Sequence, residues 1–312
     1  MWQLISGVFL GWSLGANDAS NVFGTAVASR MVKFWTAAVL CSVFVLLGAL
    51  LQGTGGMHTY KGLSTYGLNF AFIVSLSAAV TVTIMTIWGL PVSTSQAVVG
   101  SMVAMGVLRN SIEWGGLTKV VLCWVGTPLG AMLVAILLYF ILGEIFNRID
   151  FSLFMYDKVL RIGLIAAGSY GAYALGANNV ANVTGPFVAS GELSPSMGAL
   201  IGGLSIGLGI LTFSRNVMMT VGAGLVKLNA FSAFVVVLSE AITVHIYAEV
   251  GVPVSTSQAV VGAVLGIGII RGVKTVNTST LVKIIFGWIG TPAVSFGLTW
   301  GITAAVLKLG IL

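Results

Sequence analysis

Ten residues, PVSTSQAVVG, stand unchanged at 91–100 and again at 253–262. Their polar parts match Ser93, Thr94, Ser95 and Gln96 with Ser255, Thr256, Ser257 and Gln258. Proline followed by hydroxyl residues suits the first turn of a helix. Pro fits near N1, and Ser or Thr can cap the exposed N–H groups. Those N–H groups and the positive end of the helix dipole favour an anion. One such turn alone would be an ordinary cap. Two identical turns that converge would surround one oxyanion with hydroxyl and amide donors. Neither stretch holds a Lys or Arg, so neutral donors and dipoles would have to hold that anion.

A second matched pair precedes the first: GANDASN at 15–21 and GANNVAN at 176–182. Asp18 and Asn21 are three residues apart and so share a helix face. Asp18 lies about seventeen residues into the first apolar segment, where an unpartnered carboxylate is costly and marks function more often than a shielded helix cap. A dianion arriving beside Asp18 adds negative charge, so something positive must accompany it. Oxygens of Asn17, Asp18, Asn21, Asn178, Asn179 and Asn182, with unwound carbonyls, could hold cations such as Na⁺. That is the physical case for cation symport. Glu240 is the other candidate acid. It could complete a cation site or take up a proton, and the alternative is a structural pair with His245.

A third pair, WVGTP at 124–128 and WIGTP at 288–292, follows the others. The three offsets are 161, 162 and 164 residues. One unit of about 145 residues is therefore written twice. Repeat one is expected over 1–145, a short linker over 146–158, and repeat two over 159–312.

The chain is 57% hydrophobic and 7% charged, with a mean hydropathy of +1.06. Soluble domains carry about 25% charged residues, which excludes a water-soluble fold. Continuous apolar runs predict an all-α polytopic membrane protein and not barrel strands. The expected segments are 2–29 (interrupted at 15–18), 34–54, 70–88, 92–108 and 117–142. In repeat two they are 159–189 (interrupted at 176–179), 196–213, 230–250, 254–270 and 280–308. Pro91 and Pro253 break helical hydrogen bonding inside 70–108 and 230–270. Each of these stretches is either two full spans or one re-entrant hairpin.

Either choice gives each repeat an odd number of crossings, so the two repeats insert upside down. With the linker inside, Arg30, Lys33, Arg148, Lys158, Arg161, Arg215, Lys227, Arg271, Lys274 and Lys283 fall on the cytoplasmic side. Lys61, Arg109, Lys119 and Lys308 fall outside. Ten against four follows the positive-inside rule. The expected fold is two inverted-topology repeats with broken helices, both termini outside, and paired hairpins meeting near the bilayer centre.

The remaining features read plainly. No basic region precedes the first apolar run, so no cleavable signal is evident. Cys41 and Cys123 lie in apolar spans and have no metal-ligand spacing. Trp124, Thr127 and Pro128, with Trp288, Thr291 and Pro292, read as packing or hinge elements. Arg215 and Glu249 read as solvated or snorkelling side chains near the interfaces. The excess charge of +6 is modest and gives no sign of a nucleic-acid partner. A channel built from two half-helices would favour Asn-Pro-Ala turns, which are absent. An intramembrane enzyme finds no metal cluster or Ser–His arrangement. Another tetrahedral oxyanion, such as sulfate, fits the same site.

At GANDASN, GANNVAN and the two PVSTSQ stretches, the chain resembles the inorganic phosphate transporter family over essentially its whole length. The resemblance implies uptake of inorganic phosphate with Na⁺ or H⁺ through inverted repeats, in a protein that is often a homodimer. By motif position it assigns Asn17, Asp18, Asn21 and Ser93–Gln96 in repeat one. In repeat two it assigns Asn178, Asn179, Asn182 and Ser255–Gln258. Two departures stand out. The family usually carries Asp in both GAND motifs, whereas Asn179 occupies the second here, which bears on the number of coupled cations. The linker lacks the large insertion of animal members, which implies the cell membrane of a bacterium or archaeon.

Overall fold

A computed structural model describes residues 2–57, 59, 67–88, 92–224, 228–272 and 278–309; at 220–224, 278–280 and 283 it describes the backbone alone. Pro91, Lys61, Lys227 and Lys274 lie outside the described residues, as does the side chain of Lys283. In lipid every backbone polar group needs an internal partner, and helices supply it within one segment. The elements of repeat one are α1 (Leu4–Ala28), α2 (Phe34–Gln52), α3 (Leu68–Ile87), α4 (Thr94–Arg109) and α5 (Trp114–Asn147). Those of repeat two are α6 (Leu153–Ala189), α7 (Pro195–Gly224), α8 (Ala230–Val250), α9 (Thr256–Arg271) and α10 (Thr278–Lys308). Seven of these helices are long and apolar enough to cross a membrane. The protein is a multi-pass, all-helical membrane protein. The connection between the repeats is shorter than expected, because α5 runs to Asn147 and α6 starts at Leu153.

The packing is closed under exchange of the repeats. Helix α1 packs along α7, and the matching α6 packs along α2. Helix α4 packs on α10, and the matching α9 packs on α5. Glycines set the close approaches. A Cβ on Gly15 would meet the main chain of Ile206, and one on Gly209 the main chain of Trp12. Their counterparts do the same: Gly176 faces the main chain of Val45, and Gly48 that of Tyr173. Gly100, the last residue of the first PVSTSQAVVG, abuts the main chain of Pro292; Gly262 abuts that of Pro128. Small residues that let helix backbones touch are the membrane solution to tight packing. The WxGTP elements thus pack against the helix that opens with the opposite repeat's PVSTSQ stretch.

This corrects one expectation. The GAND stretches do not interrupt their helices: α1 and α6 run continuously through them. Gly15 and Gly176 are there for helix contact, and the main-chain hydrogen bonding passes through. The breaks lie elsewhere, between α3 and α4 and between α8 and α9. Helix α8 ends where Gly251 takes a left-handed φ of 72°, the usual glycine terminus.

Helices α1 and α6 carry polar residues yet are deeply buried, so the polar stretches face protein. The outer helices α5 and α10 show the reverse, with apolar side chains such as Leu122, Leu133, Phe140 and Phe286 exposed. A soluble protein would not leave such a band uncovered.

Candidate functional site

Each PVSTSQ stretch turns into a helix by the same local device. Ser93 and Ser255 are the N-caps, and each side chain accepts a hydrogen bond from the N–H of Gln96 or Gln258 at 3.2 Å. The hydroxyls of Ser93 and Ser95 are 3.1 Å apart, and those of Ser255 and Ser257 are 2.9 Å apart. Pro253 therefore sits two residues ahead of the cap, not at N1 as expected. Because the cap uses the third N–H, those of Thr94 and Ser95 and of Thr256 and Ser257 have no partner in the preceding turn. All eight side chains are buried.

The asparagines of the GAND pair hold these turns in place. Asn17 Oδ1 accepts from the Val92 N–H at 3.4 Å, and Asn178 Oδ1 accepts from the Val254 N–H at 3.0 Å. Their amide groups donate onward, Asn17 to Thr86 Oγ1 at 2.9 Å and Asn178 to the Val252 carbonyl at 3.2 Å. Thr86 was not foreseen, because a lone Thr in an apolar helix gives no signal. Each amide thus ties the non-helical approach of its own hairpin to α1 or α6.

Across the repeats the match ends. Thr256 donates to Asp18 Oδ2 at 3.3 Å and accepts from Asn21 Nδ2 at 3.1 Å. Asp18 Oδ1 is buried and has no hydrogen-bond partner. On the other side, Asn182 donates to its own neighbour Asn179 at 2.7 Å, and Thr94 Oγ1 has no hydrogen-bond partner. Gln96 Oε1, Gln258 Oε1 and Asn179 Nδ2 are also buried without one. Ser20 turns back to the Asn17 carbonyl.

Buried polar atoms in native proteins nearly always have partners. Here several of the orphaned atoms of the described residues lie on the matched motifs of both repeats, and others, such as those of Ser75, Ser77 and Thr299, lie elsewhere. Gln96 and Gln258, one from each turn, line the same cavity of about 590 Å³, whose walls include Trp124, Trp288, Pro128 and Pro292. The indole N–H groups of both Trp residues are also unpartnered. The matched tryptophans, expected as packing or hinge elements, also line this cavity. Such a set can take an oxyanion by donor groups and a cation by Asp18.

Glu240 is fully buried on α8, and neither carboxylate oxygen has a hydrogen-bond partner. Its charge lies within electrostatic range of Asp18 and of Cys41. The expected alternative, a Glu240–His245 pair, is corrected: His245 bonds to Tyr170 at 2.7 Å and to Gln52 at 2.9 Å instead. Five residues on a helix place two side chains on different faces. Glu249 accepts from Gln52, so it is also more than a solvated side chain.

A family model described as the phosphate transporter family matches residues 14–299. A provisionally named phosphate permease of Methanocaldococcus jannaschii is 31% identical over 94% of this chain and 93% of its own length. The sulfate permease CysP of Bacillus subtilis is 30% identical over 98% of this chain and 87% of its own. A solved structure titled as the sodium-dependent phosphate transporter superposes with a TM-score of 0.87 at 26% identity, covering 99% of this chain and 100% of that one.

Proposed function

The chain belongs to the phosphate transporter family, and from that premise we propose that it takes up inorganic phosphate by symport with Na⁺, H⁺ being the alternative coupling ion. The family is one of membrane transporters, and the protein is not an enzyme. The observation that carries the reading is that Gln96 and Gln258, one from each repeat's turn, line one cavity, while Asp18 of repeat one accepts from Thr256 of repeat two. Thr94 Oγ1 of the first turn and Asp18 Oδ1 are buried without hydrogen-bond partners.

Phosphate sits between the two turns, where Thr94, Ser95, Thr256 and Ser257 offer hydroxyls and main-chain N–H groups. Gln96 and Gln258 add their amides, and Ser93 and Ser255 fix the turns as caps. The cation sits at Asp18 with oxygens of Asn21 and Thr256. Asn17 and Asn178 position the hairpins, while Asn179 and Asn182 form the weaker counterpart of the cation site. A neutral amide at Asn179 in place of a carboxylate lowers the number of cations that the site can balance.

The repeats are inverted, with the 146–158 linker on the cytoplasmic side and both termini outside. The positive-inside count supports that orientation, and the exchangeable pairing of helices supports a two-fold arrangement of the halves. Alternating access then follows from rocking the hairpins against α5 and α10 about the fixed site. Two copies assemble in the cell membrane of a bacterium or archaeon, as the family resemblance implies.

The test is uptake of radioactive phosphate into proteoliposomes under imposed gradients. Uptake is expected to need an inward Na⁺ gradient. Uptake that ignores every cation gradient overturns the symport reading.

One observation favours a second reading. The sulfate permease relative matches nearly the whole chain. Sulfate is fully ionised and brings no proton, so an acceptor facing the anion selects phosphate. Sulfate that blocks phosphate uptake at equal concentration supports the second reading.

A further inference from the structure

Helices α5 and α10 flank a gap that neither of them closes. Helix α5 packs on α8 and α9, and α10 packs on α3 and α4; among the described residues the two do not pack along one another. The cavity of about 590 Å³ lies in that gap. Its walls are the matched residues Trp124, Val125 and Pro128 of one WxGTP element and Trp288, Ile289 and Pro292 of the other. Its inner end is polar: Gln96 and Gln258 are buried there, and Gln96 Oε1, Gln258 Oε1 and both indole N–H groups have no hydrogen-bond partner. Its mouth is apolar and open, because Val125 is 59% exposed, Leu129 51% and Ile289 69%.

The gap opens at the depth of the lipid tails. Asn17 and Asn178 hold the approaches to α4 and α9, whose first turns carry the two glutamines. Asn17 stands at the middle of α1, a helix of 25 residues. Such a helix is about 38 Å long, so its middle falls at the centre of a hydrocarbon core about 30 Å thick. The mouth is continuous with the exposed apolar band of Leu122, Leu133 and Phe286. Hydrocarbon lies against it there, with no headgroup and no bulk water in reach.

We propose that this gap is a binding site for one acyl chain of a phospholipid, with the methyl end of the chain between Trp124 and Trp288. Other occupants fail on size or chemistry. Each buried water needs about 2–4 polar partners, and the four unpartnered groups serve only the inner end. A helix of a second copy is about 10–12 Å across, so the volume takes about one turn of it. The same concave face of a second copy, brought up by a two-fold axis, would set hollow against hollow. A flexible apolar chain enters from the bilayer without stripping water from any polar group. It also restores the contacts that an empty apolar wall forfeits.

The two ends of the cavity then hold different things. The chain fills the mouth, while the glutamine carbonyls and indole N–H groups stay with the polar inner end, cut off from the bilayer. The WxGTP elements pack against α4 and α9 through their prolines. Each thereby presents a tryptophan and a branched apolar residue to the lipid, once from each repeat. As a lateral wall of the anion site, the acyl chain rests on the phosphate reading; as a bound lipid it does not.

The test is tryptophan fluorescence of the full chain in phosphatidylcholine vesicles, without phosphate or any gradient. The chain has eight tryptophans; with all but Trp124 and Trp288 replaced by Phe, those two are the reporters. Bromine quenches an indole only on contact, so lipids brominated at the methyl end of the chain are expected to quench at least about twofold more than lipids brominated near the headgroup. Filling the mouth with Val125→Phe and Ile289→Phe should cut that quenching at least about twofold, and Leu129→Phe is an independent filling variant. Phe286 is 77% exposed outside the gap. A Phe286→Trp reporter, in a chain without Trp124 and Trp288, should be quenched equally with the mouth open or filled. Reporters in the gap that no brominated chain reaches, as in a gap holding water or a second copy, overturn the proposal. Quenching that both filling variants leave unchanged marks surface lipid alone and overturns it too. Because no phosphate is present, failure here is separate from failure of the phosphate reading.

Discussion

Thr256 of repeat two donates its hydroxyl to Asp18 of repeat one at 3.3 Å, so the hairpin of one half is fastened to the carboxylate of the other. The matched residue Thr94 has no hydrogen-bond partner for its hydroxyl. Two turns identical in sequence therefore stand in different surroundings, because position 179 holds Asn where position 18 holds Asp. On the proposed reading both turns face the anion, but the Thr256 hydroxyl is engaged with the carboxylate of the cation site, whereas that of Thr94 is left for the anion alone.

Substitution at these threonines separates the two roles. Thr256→Val removes a hydrogen bond to a charged group and a partner of Asn21, a loss of about 1.5–3 kcal/mol in stability. Thr94→Val breaks no protein contact and is expected to stay within about 0.5 kcal/mol of native while weakening phosphate binding. Thermal unfolding and a phosphate isotherm on each variant check this. Equal destabilisation by both would deny the asymmetry.

The hairpins are held by main-chain contact with the opposite repeat's proline. Gly100→Val and Gly262→Val each press a side chain into the Pro292 or Pro128 backbone, so each is expected to cost at least about 2 kcal/mol. Gly290 has nothing within 4 Å of its Cβ position, so Gly290→Ala should be neutral or stabilising by up to about 1 kcal/mol. Unfolding midpoints in detergent read all three.

The proposed orientation puts Asp157 and Glu113, both exposed, on opposite faces. In a background lacking Cys41 and Cys123, Asp157→Cys should react with a membrane-impermeant thiol reagent only from the cytoplasmic side of vesicles. Glu113→Cys should react only from outside. Labelling of both from the same side would refute the inverted arrangement.

Much of this was legible in the residues. The exact duplication named the two turns and paired the described helices of one half with those of the other, and most helix boundaries fell close to the apolar runs, although α7 runs on to Gly224 where 213 was expected and α6 begins at Leu153 where 159 was expected. The GAND stretches misled because glycine among polar residues signals a break, yet here it signals contact: Gly15 and Gly176 are bare so that Ile206 and Val45 can approach. No local pattern reveals a partner about two hundred residues away. The same limit hid the partners of His245. Gln52 and Tyr170 stand singly in apolar segments, and only the packing of α2 and α6 against α8 makes them neighbours of His245. Glu240 was noticed because it breaks the repeat, which suggests comparing halves as a way to find such residues.

The most direct test of the account is phosphate affinity as a function of Na⁺ in the purified protein, native against Asp18→Asn. Two ligands that bind at coupled sites change each other's affinity by the same factor, typically about 5–150-fold. The account predicts that Na⁺ tightens phosphate binding in the native protein by such a factor and leaves it unchanged in Asp18→Asn. An undiminished Na⁺ effect in Asp18→Asn would contradict it.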